Sequence, residues 1–156
     1  MIKNIAKDDK EANNSIEKYC AIQERCIFDV KIKLKEWQIS SKKISQIITN
    51  LIDNDFINES RYAESFCRGK FKIKKWGRIK IIYELKKKNI SQDNINKGIR
   101  IINENEYKKL LESLYIRKIK STKIKDKFTK KAKIFKFLQQ KGFETNMIWE
   151  LINNDN

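Results

Sequence analysis

The chain has 156 residues, 36% of them charged, and a formal charge of +16, a length that suits about one domain with a real core. It holds no proline, four glycines and no histidine. Long helices are therefore uninterrupted, hairpin turns are scarce, and the commonest general base and metal ligand are missing.

In chain order, residues 1–11 read as a flexible N-terminal tail. From Ala12 the spacing turns helical, with Ile16, Tyr19 or Cys20, and the stretch 23–27 pointing to one buried face. A second helix is predicted over about 28–37. A third follows Ser40 or Ser41, either of which can cap its first turn, and carries Ile44, Ile47, Ile48 and Leu51. A helix over about 60–70 turns Tyr62, Ala63, Phe66 and Cys67 inward. Another over about 104–120 does so with Tyr107, Leu110, Leu111, Leu114 and Tyr115. Cys20, Cys26 and Cys67 form no CxxC pair, so they read as reduced thiols on semi-buried helix faces, and no metal or cofactor is expected. No apolar run nears the ~18 residues of a spanning helix, and no signal-peptide core leads the chain. A cytoplasmic protein is the expectation.

Searching the chain against itself exposes a repeat. Leu34, Leu85 and Leu138 are anchors 51 and 53 residues apart. Four positions before them stand Val30, Ile81 and Ile134; five after, Ile39, Ile90 and Phe143. Ten after stand Ile44, Ile95 and Ile148; fourteen after, Ile48, Ile99 and Ile152. All fifteen are apolar in a chain that is 40% hydrophobic. The first two offsets lie one turn apart on one helix, and the last two do so on the next. The residue five after the anchor falls in the short connection, where it plugs the corner. Three three-helix units follow, near 12–53, 54–104 and 105–156. The fold class is all-α, an elongated, curved array of tandem three-helix repeats.

The charge is unevenly placed. Residues 1–66 carry eleven basic and eleven acidic side chains, whereas 67–156 carry 25 and 9. Such asymmetry points to a polyanionic partner, nucleic acid before membrane. One basic cluster spans Arg68 to Lys88, opposed by Glu84 alone; a second spans Arg117 to Lys141, opposed by Asp126 alone. Stacked units would align the two as a stripe for sequence-indifferent phosphate contact; the plainer reading is two solvated lysine faces. Trp76 stands inside the first cluster, either as a stacking surface for a base or as a packing anchor. Asp53, Asp55 and Glu59 cluster in sequence around the boundary of the first two units, where a carboxylate pair or Mg2+ site is conceivable. They read more simply as helix-cap and turn residues.

The second unit carries Asn58-Glu59-Ser60-Arg61-Tyr62-Ala63 and then Lys75-Trp76-Gly77, Ile79, Glu84-Leu85 and Asn89-Ile90-Ser91. The third carries Phe137-Leu138-Gln139-Gln140-Lys141-Gly142-Phe143. With the units of about fifty residues, these motifs resemble the RecX family, bacterial regulatory proteins that modulate the RecA recombinase. The resemblance covers about residues 14–153. Asn58 stands where the family has an acid, Asn89 where it has a glycine, and Cys26 where a serine is usual. The resemblance implies a curved, non-enzymatic helical protein. Such proteins lie in the groove of the RecA–DNA filament and lower its growth, ATP hydrolysis and strand exchange. A monomer is the default for a body that must fit a groove.

On that reading the contacts to DNA or to filament acids come from Arg68, Lys70, Lys72, Lys74, Lys75, Trp76, Arg78 and Lys80, and from Lys123, Lys125, Lys130 and Lys133. Arg61, Tyr62, Ala63, Gly77, Leu34, Leu85 and Leu138 are structural. Two rivals remain: a general nucleic-acid-binding helical protein with no recombinase partner, and a nuclease using Asp53, Asp55 and Glu59.

Overall fold

The structure, a computed structural model, describes residues 6–155. The described residues form nine α-helices and no strand: α1 (Asp9–Ile22), α2 (Ile27–Glu36), α3 (Ser41–Asp53), α4 (Glu59–Lys72), α5 (Arg78–Lys87), α6 (Gln92–Arg100), α7 (Glu104–Ser121), α8 (Lys127–Gln140) and α9 (Thr145–Asn154). Of the fifteen repeat anchors, all are buried except Ile99, which is half-buried.

The connection between the second and third helix of each unit is one device used three times. Gln38, Asn89 and Gly142 take positive φ values of 61°, 59° and 96°. The next residue's N–H bonds back to the anchor carbonyl: Ile39 to Leu34 at 3.1 Å, Ile90 to Leu85 at 3.2 Å, Phe143 to Leu138 at 3.3 Å. The left-handed residue's own N–H reaches Lys35, Lys86 and Gln139. This is the Schellman helix end, in which the apolar residue after the left-handed position packs on the residue five before it. The anchor and its corner residue are that pair.

Helix starts follow capping chemistry. Ser40, not Ser41, accepts from the Lys43 N–H, and Ser91 accepts from the Asn94 N–H. Asn58, Asn103 and Asp126 cap α4, α7 and α8 through their side chains. Asp8 accepts from the Glu11 N–H at 2.8 Å, which starts α1 at Asp9, three residues before the apolar spacing does. Of the tail expected over 1–11, residues 1–5 lie outside the described residues.

The stretch 23–27 does not prolong the buried face of α1. The helix stops at Ile22, and Gln23 and Cys26 are extended. Arg25 helps end it, its Nε donating to the Tyr19 carbonyl at 3.1 Å. The extended stretch of chain carries Cys26 out of its own unit. Cys26 and Phe28 pack into the core of α4–α6, while Phe56 and Ile57 turn back into the core of α1–α3.

Two cores result. One belongs to α1–α3; the other runs without a break through α4–α9. Within the second, α4 and α6 pack closely because Gly98 lies on Ala63 and Cys67, where a Cβ would stand 2.8 Å from the Ala63 carbonyl oxygen. The accessible surface, 10,421 Å², exceeds by about a quarter the ~8,300 Å² of a compact monomer of this mass. The array is therefore elongated.

Candidate functional site

The middle helices α2 and α5 both begin without a side-chain cap, at Cys26 and Gly77. For α5 the next unit supplies what is missing. The Gly77 N–H donates to the Lys141 carbonyl at 2.8 Å, and the Ile79 N–H donates to the Gly142 carbonyl at 2.9 Å. The Arg78 N–H donates to the Tyr107 hydroxyl at 3.0 Å. Three orphan donors of α5 are thus satisfied by α7 and the α8–α9 corner. Gly77 is required for this contact: a Cβ there would stand 2.3 Å from the Gly142 backbone.

The Arg78 side chain closes the same joint. Its guanidinium bonds Glu104 at 2.8 Å and Glu144 at 3.0 Å, and lies 3.9 Å from the centre of the Tyr107 ring. The Tyr107 hydroxyl donates to Glu144 at 2.6 Å. Burial, with the bond to Glu144, holds that phenol well above its ordinary range. Burial alone would lower the Arg78 guanidinium, but the bonds to Glu104 and Glu144 outweigh it. Arg78, expected to reach a partner, instead ties α5 to α7 and α9. The sequence holds no signal for this, since Arg78 and Glu144 are 66 residues apart.

The joint between α1–α3 and α4–α6 is more polar. Arg61 pairs with Glu24 and, at 3.2 Å, with Asp55. Lys88 pairs with Asp29 at 2.7 Å. Asp55 and Glu59 therefore have structural surroundings. Asp55 holds Arg61, and Glu59 is pushed upward by burial and by the nearby Asp29. Among the described residues no three His, Cys, Asp or Glu side chains group closely enough to hold a metal ion.

Around the α5–α8 joint the lysines converge. Lys141 Nζ donates to the Lys74 carbonyl at 2.9 Å. Burial lowers the Lys141 ammonium, and repulsion from Lys80 and Lys75 lowers it further. Lys70 and Lys80 lie 4.9 and 4.4 Å from the centre of the Trp76 ring, which also meets Phe66 edge-on at 6.5 Å. Trp76 is half-buried against the core, a packing anchor that holds two cations on its ring. Lys70, Lys74, Lys75, Lys80 and Lys141 thus form one patch with no carboxylate paired to it among the described residues. Lys141, which stands in the third unit's motif and second basic cluster but not among the expected contacts, belongs with it.

The rest of the expected set divides. Lys130 lies on α8 eleven residues before Lys141, about 16 Å along the helix and about 20° around it. Lys133 is about 80° around. Arg68 and Lys72 are exposed on α4, and Lys123 and Lys125 are exposed between α7 and α8; no hydrogen bond or ion pair among the described residues draws them to the patch.

Two family models match the chain: the second three-helix domain of RecX over residues 58–99 and the third over residues 105–152. Regulatory protein RecX of Clostridium acetobutylicum is 29% identical over 128 residues, covering 80% of this chain and 59% of the relative. That of Clostridium perfringens is 29% identical, covering 99% of this chain and 76% of the relative. The chain thus spans little more than half the length of the first relative. The crystal structure of RecX from Lactobacillus salivarius has a TM-score of 0.79 at 27% identity, covering 93% of this chain and 94% of that one.

Proposed function

This chain belongs to the RecX family of regulatory proteins, and on that premise we propose that it binds RecA and the RecA–DNA filament and inhibits the recombinase and its ATPase. It would thereby modulate homologous recombination and DNA repair. The observation that carries the reading is the patch of Lys70, Lys74, Lys75, Lys80 and Lys141 at the joint of α4–α6 with α7–α9. Cations brought together, with Lys141 lowered by burial and by its neighbours Lys80 and Lys75, suit a polyanion, which removes their mutual repulsion. The joint itself is stiff, so the patch meets its partner preformed.

In this reading the protein catalyses nothing. It binds the filament with a different affinity from that for free subunits, and that difference shifts assembly. Lys70, Lys74, Lys75, Lys80 and Lys141 supply the main contacts to DNA phosphates or filament carboxylates, with Lys130 continuing the line along α8. Arg68, Lys72, Lys123, Lys125 and Lys133 act as outlying charges. The protein works in the cytoplasm as a monomer. No helix of the described residues is long and apolar enough to cross a membrane.

The test is RecA ATPase on single-stranded DNA with this protein titrated in, beside electron micrographs of the filaments. Inhibition that Lys75→Gln with Lys80→Gln weakens supports the reading. No effect of the wild-type protein at saturation refutes it. Salt-steep DNA binding without any change in RecA would leave a general nucleic-acid-binding protein.

A further inference from the structure

Three of the four glycines are explained inside the chain. Gly77 and Gly142 meet at the α5–α8 joint, and Gly98 lies against Ala63 and Cys67. Gly69 differs: a Cβ built on it would find no heavy atom within 4 Å. Yet it stands in the last turn of α4, where glycine weakens a helix relative to alanine. The open space beside it is a cleft of about 540 Å³ between the end of α1, the last turns of α4 and the end of α5.

The lining of that cleft selects an occupant. Arg25, Lys70 and Lys74 line it, and none is paired with a carboxylate among the described residues. Arg25 is held in place, stacked 3.8 Å from the centre of the Tyr19 ring with its Nε bonded to the Tyr19 carbonyl. Its terminal nitrogens have no hydrogen bond among the described residues. Ile73 adds an apolar surface that is 78% exposed. Glu24 and Asp29 are also on the wall, held there by Arg61 and Lys88. A phosphate backbone would carry one charge after another past these two fixed carboxylates, whereas a peptide can offer a single carboxylate to Arg25. The rings of Tyr19 and Phe66 already carry a cation over one face. A peptide suits the cleft better than a nucleic acid does.

We propose that this cleft binds an acidic segment of the protein partner, with a carboxylate taken by Arg25 and an adjacent apolar side chain laid against Ile73. The segment passes close to α4 at Gly69, which is why no side chain stands there. The assignment rests on the reading of this chain as a regulator of RecA and names a second contact, which borders the lysine patch at Lys70 and Lys74 but is centred on Arg25, Gly69 and Ile73.

The experiment titrates purified RecA without DNA, and separately a single-stranded oligonucleotide, against the wild-type protein, Gly69→Leu and Arg25→Gln. The leucine's Cβ meets nothing in the chain, and the glutamine keeps a donor for the Tyr19 carbonyl. Both variants are expected to lose tenfold or more in affinity for RecA and to keep oligonucleotide affinity within twofold. Gly69→Leu is expected to melt at or above the wild-type temperature. Unchanged RecA binding by either variant overturns the cleft assignment and leaves the regulator reading standing. An equal loss on the oligonucleotide also overturns it, because the cleft then takes nucleic acid. A wild-type protein that ignores RecA overturns both.

Discussion

At the scale of single residues, the same left-handed position is filled three ways. Gly142 occupies it without strain, and Asn89 does so at small cost, whereas Gln38 has neither advantage. Gln38→Gly is therefore expected to stabilise the protein by about 0.5–1 kcal/mol, less the backbone entropy glycine adds to the unfolded chain. Asn89→Gly should change little. Gly142→Ala should cost more than about 2 kcal/mol, because its Cβ would stand 2.3 Å from that of Lys80 in a joint without slack. Urea midpoints at constant m-value check all three. The thiols make a second prediction. Burial raises Cys20 and Cys26 from 9.0 to about 11, and Cys67 to about 12. Between about pH 9 and 11 the unfolded chain releases these protons while the folded chain keeps them, so stability falls as pH rises. Replacing the three cysteines with alanine, measured against the wild type across that window, should flatten the fall.

At the scale of elements, a helix start can be capped by its own sequence or by a neighbour. The start of α8 is of the first kind: Asp126 accepts from the Thr129 N–H at 2.9 Å, and its bonds to the Thr129 hydroxyl and N–H hold its carboxyl below the usual range. The start of α5 is of the second kind and depends on Gly77. Gly77→Ala should push the α8–α9 corner away and leave the Gly77 and Ile79 N–H groups unpaired. A loss of about 2–4 kcal/mol is expected, set by overpacking and unsatisfied donors. Asp126→Ala should cost much less, since it removes one exposed cap and disturbs no packing. Calorimetry of the two variants separates them. If Gly77→Ala melts like the wild type, the transferred cap contributes nothing.

At the scale of the whole molecule, the two joints differ in kind. Glycine backbone contacts, the Arg78 network and a continuous core fuse α4–α6 with α7–α9. The joint to α1–α3 depends more on ion pairs, Arg61 with Glu24 and Asp55 and Lys88 with Asp29. The stiff joint presents the lysines, so its charge should govern binding. With about six phosphates neutralised, log affinity for duplex DNA should fall with log salt at a slope near about −5, and for single strands near about −4. Each of Lys75→Gln, Lys80→Gln and Lys141→Gln should shrink that slope by about one, without regard to base sequence. A slope unchanged in the triple variant would place the DNA contacts elsewhere.

Sequence by itself determined the helices, the tandem arrangement and the corners, because each rests on residues within a few turns of one another. Leu34 and Ile39, or Ser91 and Asn94, meet whatever the remainder of the chain does. The family likeness was legible for the same reason, its motifs being these local devices. Only the tertiary structure decided what happens between units. It drew Cys26 and Phe28 into a neighbouring core, bound Arg78 to acids far along the chain, and set Lys141 beside Lys75 and Lys80. Those outcomes depend on how one unit seats on the next. That seating follows from a close approach of Gly77 to Gly142 that no periodicity encodes.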